Sequence, residues 1–287
     1  MSFLSRRAAT ISISTISSAA AAGFTFYSYR YKQQKMLPSY EATFSVPLEC
    51  ESCVTDIKSA LSTVDGITST AFSIPTSLIT ITSTTAPSTL ISTIQSTGRD
   101  AILRGSGAPN SAAVCILEIP PSATTSNPTT APERSKYQSP VRGLARLIQL
   151  SPQLTLMDVT VTALPRGRYS VSARRTGDIS RGASSLGDVY RGEDGGRDGE
   201  LGVLEVDEKG RGNLVGEVGW RVWELVGRGI CVLPVEADGL EGENGRGEVV
   251  GVVARSAGAW ENEKVVCGCS GKTVWEEREE MVGKGMV

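Results

Sequence analysis

Tyr40-Glu41-Ala42-Thr43-Phe44-Ser45-Val46-Pro47-Leu48-Glu49-Cys50-Glu51-Ser52-Cys53-Val54-Thr55-Asp56-Ile57 changes its periodicity once. Tyr40 to Val46 has the Tyr, Thr, Phe and Val content of a strand. Behind Cys53, Val54, Ile57, Leu61 and Val64 recur at helical spacing until Gly66 ends the helix. Ile67 to Ser73 and Leu78 to Thr82 then read as strands around the turn Pro75-Thr76-Ser77. Pro87 opens a second helix bearing Leu90, Ile91 and Ile94, Gly98 closes it, and Ala101 to Arg104 is a last short strand. Strand, helix, strand, strand, helix, strand is the α+β ferredoxin-like (βαββαβ) unit, here assigned to residues 38–106.

Downstream the pattern becomes all-β. Val114 to Ile119, Leu144 to Leu150, Leu156 to Thr162, Tyr169 to Ala173, Gly229 to Leu233 and Val249 to Ala254 are short β-prone runs between Gly-rich turns. They predict an antiparallel sandwich or barrel over residues 110–256. Residues 120–140, rich in Pro, Ser and Thr, read as linker-like, and residues 191–219 and 238–248 read as mobile loops because Gly and charge dominate them. Residues 257–287 form a tail.

Upstream, residues 1–36 contain Arg6, Arg7, Arg30, Lys32 and Lys35 and no acidic residue, with Ser and Thr abundant. This is the composition of a mitochondrial presequence; a secretory signal, a permanent anchor and a dispensable extension are the alternatives. The uncharged run Ala8 to Tyr29 is long enough to insert in a bilayer, so membrane contact is expected only through the leader. Met36 offers a second start, which predicts pools in the mitochondrial intermembrane space and the cytoplasm.

The chain has no histidine, which removes the usual general base and the commonest nitrogen ligand for metals together. Any metal must be held by sulfur or oxygen. A formal net charge of −2 with interspersed signs argues against a nucleic acid partner. Four of the six cysteines form two close pairs, Cys50/Cys53 and Cys267/Cys269, which is not the spread of a secreted disulfide scaffold.

Cys50 and Cys53 stand where a strand hands over to a helix. Helix N-termini lower thiol pKa, and two thiolates three residues apart can pinch one soft ion such as Cu(I). A redox dithiol reads the same way, and so does structural coincidence. Cys267 and Cys269 flank one glycine, too close for a relaxed disulfide, which suits metal sharing or thiol exchange. Cys115 and Cys231 lie in apolar runs and read as core residues. Trp220 and Trp223 suit either core or interface.

The first domain resembles the heavy-metal-associated domains of copper chaperones and copper-pumping ATPases, with Leu48 where many have methionine. Ile102 to Gly107 followed by Pro109 to Ala112 resembles the interdomain junction of the copper chaperones for superoxide dismutase. Gly251 to Gly258, Cys267-Gly268-Cys269 and Thr273 to Arg278 resemble the signature that ends that family. The resemblance implies that Cys50 and Cys53 acquire Cu(I) and that Cys267 and Cys269 deliver it to Cu/Zn superoxide dismutase, promoting the client's intrasubunit disulfide. It implies a dismutase-like Greek-key barrel that is not an enzyme and holds no zinc. Ser172, Arg174, Leu233 and Val189 stand at ligand positions. It further implies that Gly177, Asp178, Trp223, Gly227, Arg228, Val253 and Arg255 line a face that pairs with the client as a heterodimer, or with a second copy as a homodimer.

Overall fold

The computed structural model describes residues 38–120, 141–193, 195–235, 248–262 and 270–283. The leader, most of the two segments read as a linker and a second loop, and the pair Cys267/Cys269 lie outside the described residues.

The first domain comprises β1 (Tyr40–Ser45), α1 (Glu51–Leu61), β2 (Ile67–Ser73), β3 (Leu78–Ser83), α2 (Pro87–Gln95) and β4 (Ile102–Ser106). Its antiparallel sheet has the order β2-β3-β1-β4, so β1 is central, and Ala42 and Phe44 on it are fully buried. Helix α1 turns Cys53, Val54, Ile57 and Leu61 onto the sheet, the stripe that a 3.6-residue period requires. Gly66, at φ +84°, makes the turn into β2 in a region that side chains disfavour. Pro87 at the start of α2 loses no hydrogen bond there.

The second domain is a closed eight-stranded barrel. Its strands are β5 (Ala112–Glu118), β6 (Val141–Ser151), β7 (Leu154–Val161), β8 (Gly167–Ala173), β9 (Glu200–Val206), β10 (Gly212–Val218), β11 (Gly229–Pro234) and β12 (Val249–Ser256). They follow the order β10-β7-β6-β5-β12-β11-β8-β9, with Greek-key crossings from β7 to β8 and from β10 to β11. A short helix, α3 (Val222–Leu225), precedes β11, and α4 (Val274–Gly283) lies in the tail.

The segment 191–219, expected to be a mobile loop, carries two barrel strands instead. Strand β10 pairs with β7 from Gly212↔Val161 to Val218↔Thr155, and β9 pairs with β8. The sequence hid β9 because Gly202, at φ +138°, breaks the two-residue alternation, so Leu201 and Leu204 both point inward although three residues apart.

Nor is the first domain tethered loosely through the junction. The described residues form one compact unit. On β6 Leu147 enters the barrel core while its neighbour Ile148 joins Phe44 and Leu90 in the core of the first domain; on β7 Met157 and Leu156 divide in the same way. Strands buried on both faces lose the simple apolar-polar alternation, and Leu144 to Leu150 is apolar except at Arg146 and Gln149. A polar lock sits beside this seam. Helix α2 begins after Ala86, which has no side-chain acceptor, and the Ser88 amide donates instead to Asp158 Oδ2 of β7 at 2.8 Å. Asp158, fully buried, also receives Asn213 Nδ2 at 3.2 Å and pairs with Arg146 Nη1 at 3.5 Å. Burial and then the Asp158 charge push the nearby Tyr40 phenol well above its ordinary range, so it stays neutral and donates to the Thr85 carbonyl at 2.5 Å.

Removing one member of a buried pair strands the other charge. Asp158→Asn is expected to cost about 3 kcal/mol of unfolding free energy, measured by urea denaturation. A loss no larger than that of an exposed substitution refutes the lock.

Candidate metal centre

Cys50 is the N-cap of α1, with extended φ −158° and ψ 171°, and offers the helix no side-chain hydrogen bond. Its sulfur is thereby left outside the helix, exposed, 3.6 Å from Cys53 Sγ and 2.9 Å from Ser52 Oγ. At 3.6 Å the sulfurs are unbonded, well beyond the roughly 2.05 Å of a disulfide, and near enough to grip one ion from the same side. Cys53, first of the buried stripe of α1, is only 8% exposed and packs in the core cluster that contains Leu48. One thiol therefore faces solvent, where a metal arrives, and the other is fixed by the fold.

The electrostatics favour thiolate. Hydrogen bonds from the Glu49 backbone, then from the Arg99 guanidinium, then from Cys50 lower Cys53 from 9.0 to about 7. Arg99, in the turn before β4, is held by Asp56 Oδ2 at 3.1 Å and the Thr97 carbonyl at 3.2 Å, and its contact with Cys53 raises its own pKa. No motif announces Arg99 in the sequence; only the return of the chain after Gly98 brings it to α1. A bis-thiolate holding a monovalent ion keeps one negative charge, which Arg99 is placed to offset.

The other described cysteines behave differently. Cys115 and Cys231 are fully buried, and burial raises each to about 12, so both are inert thiols as expected. At the positions that the resemblance assigns to dismutase ligands, Ser172 is buried and Arg174 is half-buried, its Nε donating to Ser172 Oγ at 3.0 Å. A β-bridge joins Arg174 to Val189. A permanent cation thus sits among these positions, where it repels a metal ion. Among the described residues no three His, Cys, Asp or Glu side chains gather into a metal site.

The residues assigned to a client-facing surface differ in exposure. Gly177 packs so closely on the Gly227 carbonyl that no Cβ fits there, and the Val252 side chain is also tight against it. Asp178, Gly227 and Arg255 are exposed, and Trp223 on α3 is 58% exposed whereas Trp220 is buried against Tyr190. Val253 is a correction: it is 2% exposed and belongs to the barrel core, because strand alternation turns Val252 outward instead. Ile116, on the strand paired with β12, is also outward and was missed, although its place between buried Cys115 and Leu117 was a legible signal. Arg228 lies across the Tyr190 ring at 3.5 Å and donates to the carbonyls of Glu224 and Arg175, both at 2.7 Å, so it braces the loops.

An exposed and a buried thiol at the strand-to-helix turn of a ferredoxin-like sheet define a soft-metal carrier domain, and residues 43–100 match the heavy-metal-associated domain family. The likeness extends far beyond that domain. The "Superoxide dismutase 1 copper chaperone" of Debaryomyces hansenii is 37% identical over 88% of this chain and 99% of its own length. That of Saccharomyces cerevisiae is 38% identical over 86% and 98%, and the "Copper chaperone for superoxide dismutase" of Rattus norvegicus 28% identical over 82% and 88%. The chain belongs to the family of copper chaperones for superoxide dismutase.

Because Cys53 is depressed in the folded state, its contribution to stability is full above the unfolded value near 9.0 and fades as the pH falls through about 7. Alkylation of Cys53, followed by peptide mass mapping, is expected to reach half its maximal rate near pH 7, and Arg99→Ala is expected to move that midpoint toward 9. Cys115 and Cys231 should stay unmodified until the chain unfolds. An unchanged midpoint in the Arg99 variant removes Arg99 from the site.

Proposed function

We propose that this chain carries Cu(I) on Cys50 and Cys53, docks through its barrel on newly made Cu/Zn superoxide dismutase as a heterodimer, and delivers the ion through Cys267 and Cys269. The observation that carries the reading is the pairing of two unbonded thiols, one exposed and one buried, with a dismutase-type barrel that holds Ser172 and Arg174 where the resemblance puts ligands. Membership of the chaperone family supports it.

Delivery by thiol exchange follows from the chemistry. An incoming thiolate adds to the bound Cu(I) while one of the first pair leaves, so the soft ion is never free. The closely spaced tail pair, if oxidised, is a strained disulfide. A client thiolate attacking it forms a mixed disulfide, and the client's second thiol then displaces the tail, leaving the client oxidised and the tail reduced. The barrel supplies the address. Val252 puts apolar surface against Gly177, Ile116 and Trp223 expose more of it, and an isologous dimer face is self-complementary, so a dismutase-like barrel can stand in for one client subunit. The same logic makes a homodimer the resting alternative. The leader composition supports one pool in the mitochondrial intermembrane space, and a start at Met36 would supply a second in the cytoplasm.

The reading is tested by mixing copper-loaded protein with reduced, metal-free dismutase and assaying superoxide removal. Serine at Cys267 and Cys269 is expected to abolish activation at any copper level, whereas serine at Cys50 and Cys53 is expected to impair it only when copper is scarce. Full activation by the tail variant overturns the division of labour. For docking, Trp223→Ala is expected to weaken client binding about tenfold and Arg255→Glu several-fold, with the melting temperature of each unchanged. Arg228→Glu is expected to lower the melting temperature as well, since it breaks the bracing contacts.

A further inference from the structure

After β12 the chain does not leave the molecule. Its backbone runs along the edge of the first domain, where the Ser106 amide donates to the Ala257 carbonyl at 3.2 Å and the Ala259 amide to the Gly107 carbonyl at 2.9 Å. The carbonyl of Gly258 lies against Gly105 where any Cβ would sit. Arg104, 7% exposed on β4, grips the Asn262 carbonyl through Nε and Nη2 at 3.2 and 3.0 Å, and Trp260 Nε1 donates to Glu41. This first anchor is made of backbone bonds, part-buried bonds from Arg104 and an exposed one from Trp260.

The second anchor is different in kind. Helix α4 starts at a capping box, Thr273 Oγ1 receiving the Glu276 amide while Glu276 Oε2 receives the Thr273 amide. It returns to the same domain, where Arg278 Nε and Nη2 reach the two oxygens of Asp100 at 3.0 and 3.3 Å. Asp100 is prepared for this partner: it also receives Gln95 Nε2 and the Ala101 amide, both at 2.9 Å, and these bonds with Arg278 outweigh partial burial and hold its carboxylate below the usual range. Among the described residues none of α4 belongs to a buried apolar cluster. Arg278 and Asp100 are 21% and 36% exposed, so the pair is specific in geometry yet weak enough to open. It also adjoins the metal centre through sequence, since Asp100 follows Arg99.

We propose that the Asp100 edge of the first domain is a docking surface for this chain's own tail helix, that the Arg278–Asp100 pair is its releasable latch, and that opening the latch is a step in delivery. The last clause rests on the function proposed above. Ser270, whose hydroxyl donates to Glu277 of α4 at 2.7 Å, directly follows Cys269 in the sequence, so the chain links the tail pair to α4. With α4 latched, the tail is tied to the first domain at both Asn262 and Arg278. With the latch open only Asn262 fixes it, and the chain beyond gains roughly 3.5 Å of reach per residue toward a client seated on the barrel face.

The test uses the full chain, with amide exchange at residues 274–283 and the rate of dismutase activation measured on the same samples. Asp100→Asn and Arg278→Gln are each expected to speed exchange of α4 about threefold at low salt, and wild type in 1 M salt should approach them. Asp100→Arg combined with Arg278→Asp is expected to restore slow exchange, which separates a lost latch from a damaged fold. The single variants should activate the client faster than wild type. Unchanged exchange overturns the latch; faster exchange with equal or slower activation overturns release as a step in delivery. If wild type itself fails to activate the client, the proposed function has failed, and the exchange data still decide whether the latch exists.

Discussion

The structure depends on one buried carboxylate. Asp158 belongs to the barrel by sequence, yet it satisfies the first turn of a helix in the other domain, a helix whose own N-cap residue is an alanine. An unpaired helix terminus in a buried seam is costly, and so is an unpaired carboxylate. Each cancels the other, and Arg146 and Asn213 complete the shell. Because these contacts join with Ile148 and Leu156, which insert into the first-domain core, the two halves share an interior. The metal centre therefore has a fixed bearing relative to the barrel face, and the tail finds a continuous surface to follow.

Within that frame the protein sets the chemistry of identical side chains by environment. Cys53 is drawn toward thiolate by donors from Glu49, Arg99 and Cys50, whereas Cys115 and Cys231 are kept as inert thiols by burial. Arginine is used in the same discriminating way. Arg99 supports an anionic sulfur, Arg174 donates to Ser172 beside it in the barrel, Arg228 braces loops, and Arg278 tethers a helix. A permanently charged, planar donor serves all four roles because its charge cannot be titrated away and its several N–H groups fix geometry.

Most of the fold and the first thiol pair were legible in the sequence, and the reason is local. The periodicity of Val54, Ile57 and Leu61, the glycine stop at Gly66 and the proline start at Pro87 act over a few residues, and the structure keeps all of them. Strands β9 and β10 were not legible, because Gly202 breaks the alternation and the surrounding glycines and charges imitate a loop. The choice of Val253 over Val252 failed by one residue, which in a strand is the difference between core and surface. Arg99 was invisible because nothing near it in sequence marks it.

What the sequence alone determined was the inventory: two domain types, a metal chemistry limited to sulfur or oxygen by the absence of histidine, and the positions of the paired cysteines. Those are consequences of composition and short-range pattern, which need no fold to be read. What only the tertiary structure decided was the arrangement: that Asp158 caps a distant helix, that Arg99 meets Cys53, and that the tail lies along the first domain with Arg278 on Asp100. Arg278 and Asp100 are 178 positions apart, and Ser88 and Asp158 are 70 apart. Long-range pairings of charge and hydrogen bond leave no periodic trace in a single chain, because each partner taken alone is an ordinary polar residue whose role exists only once the backbone has brought the other to it.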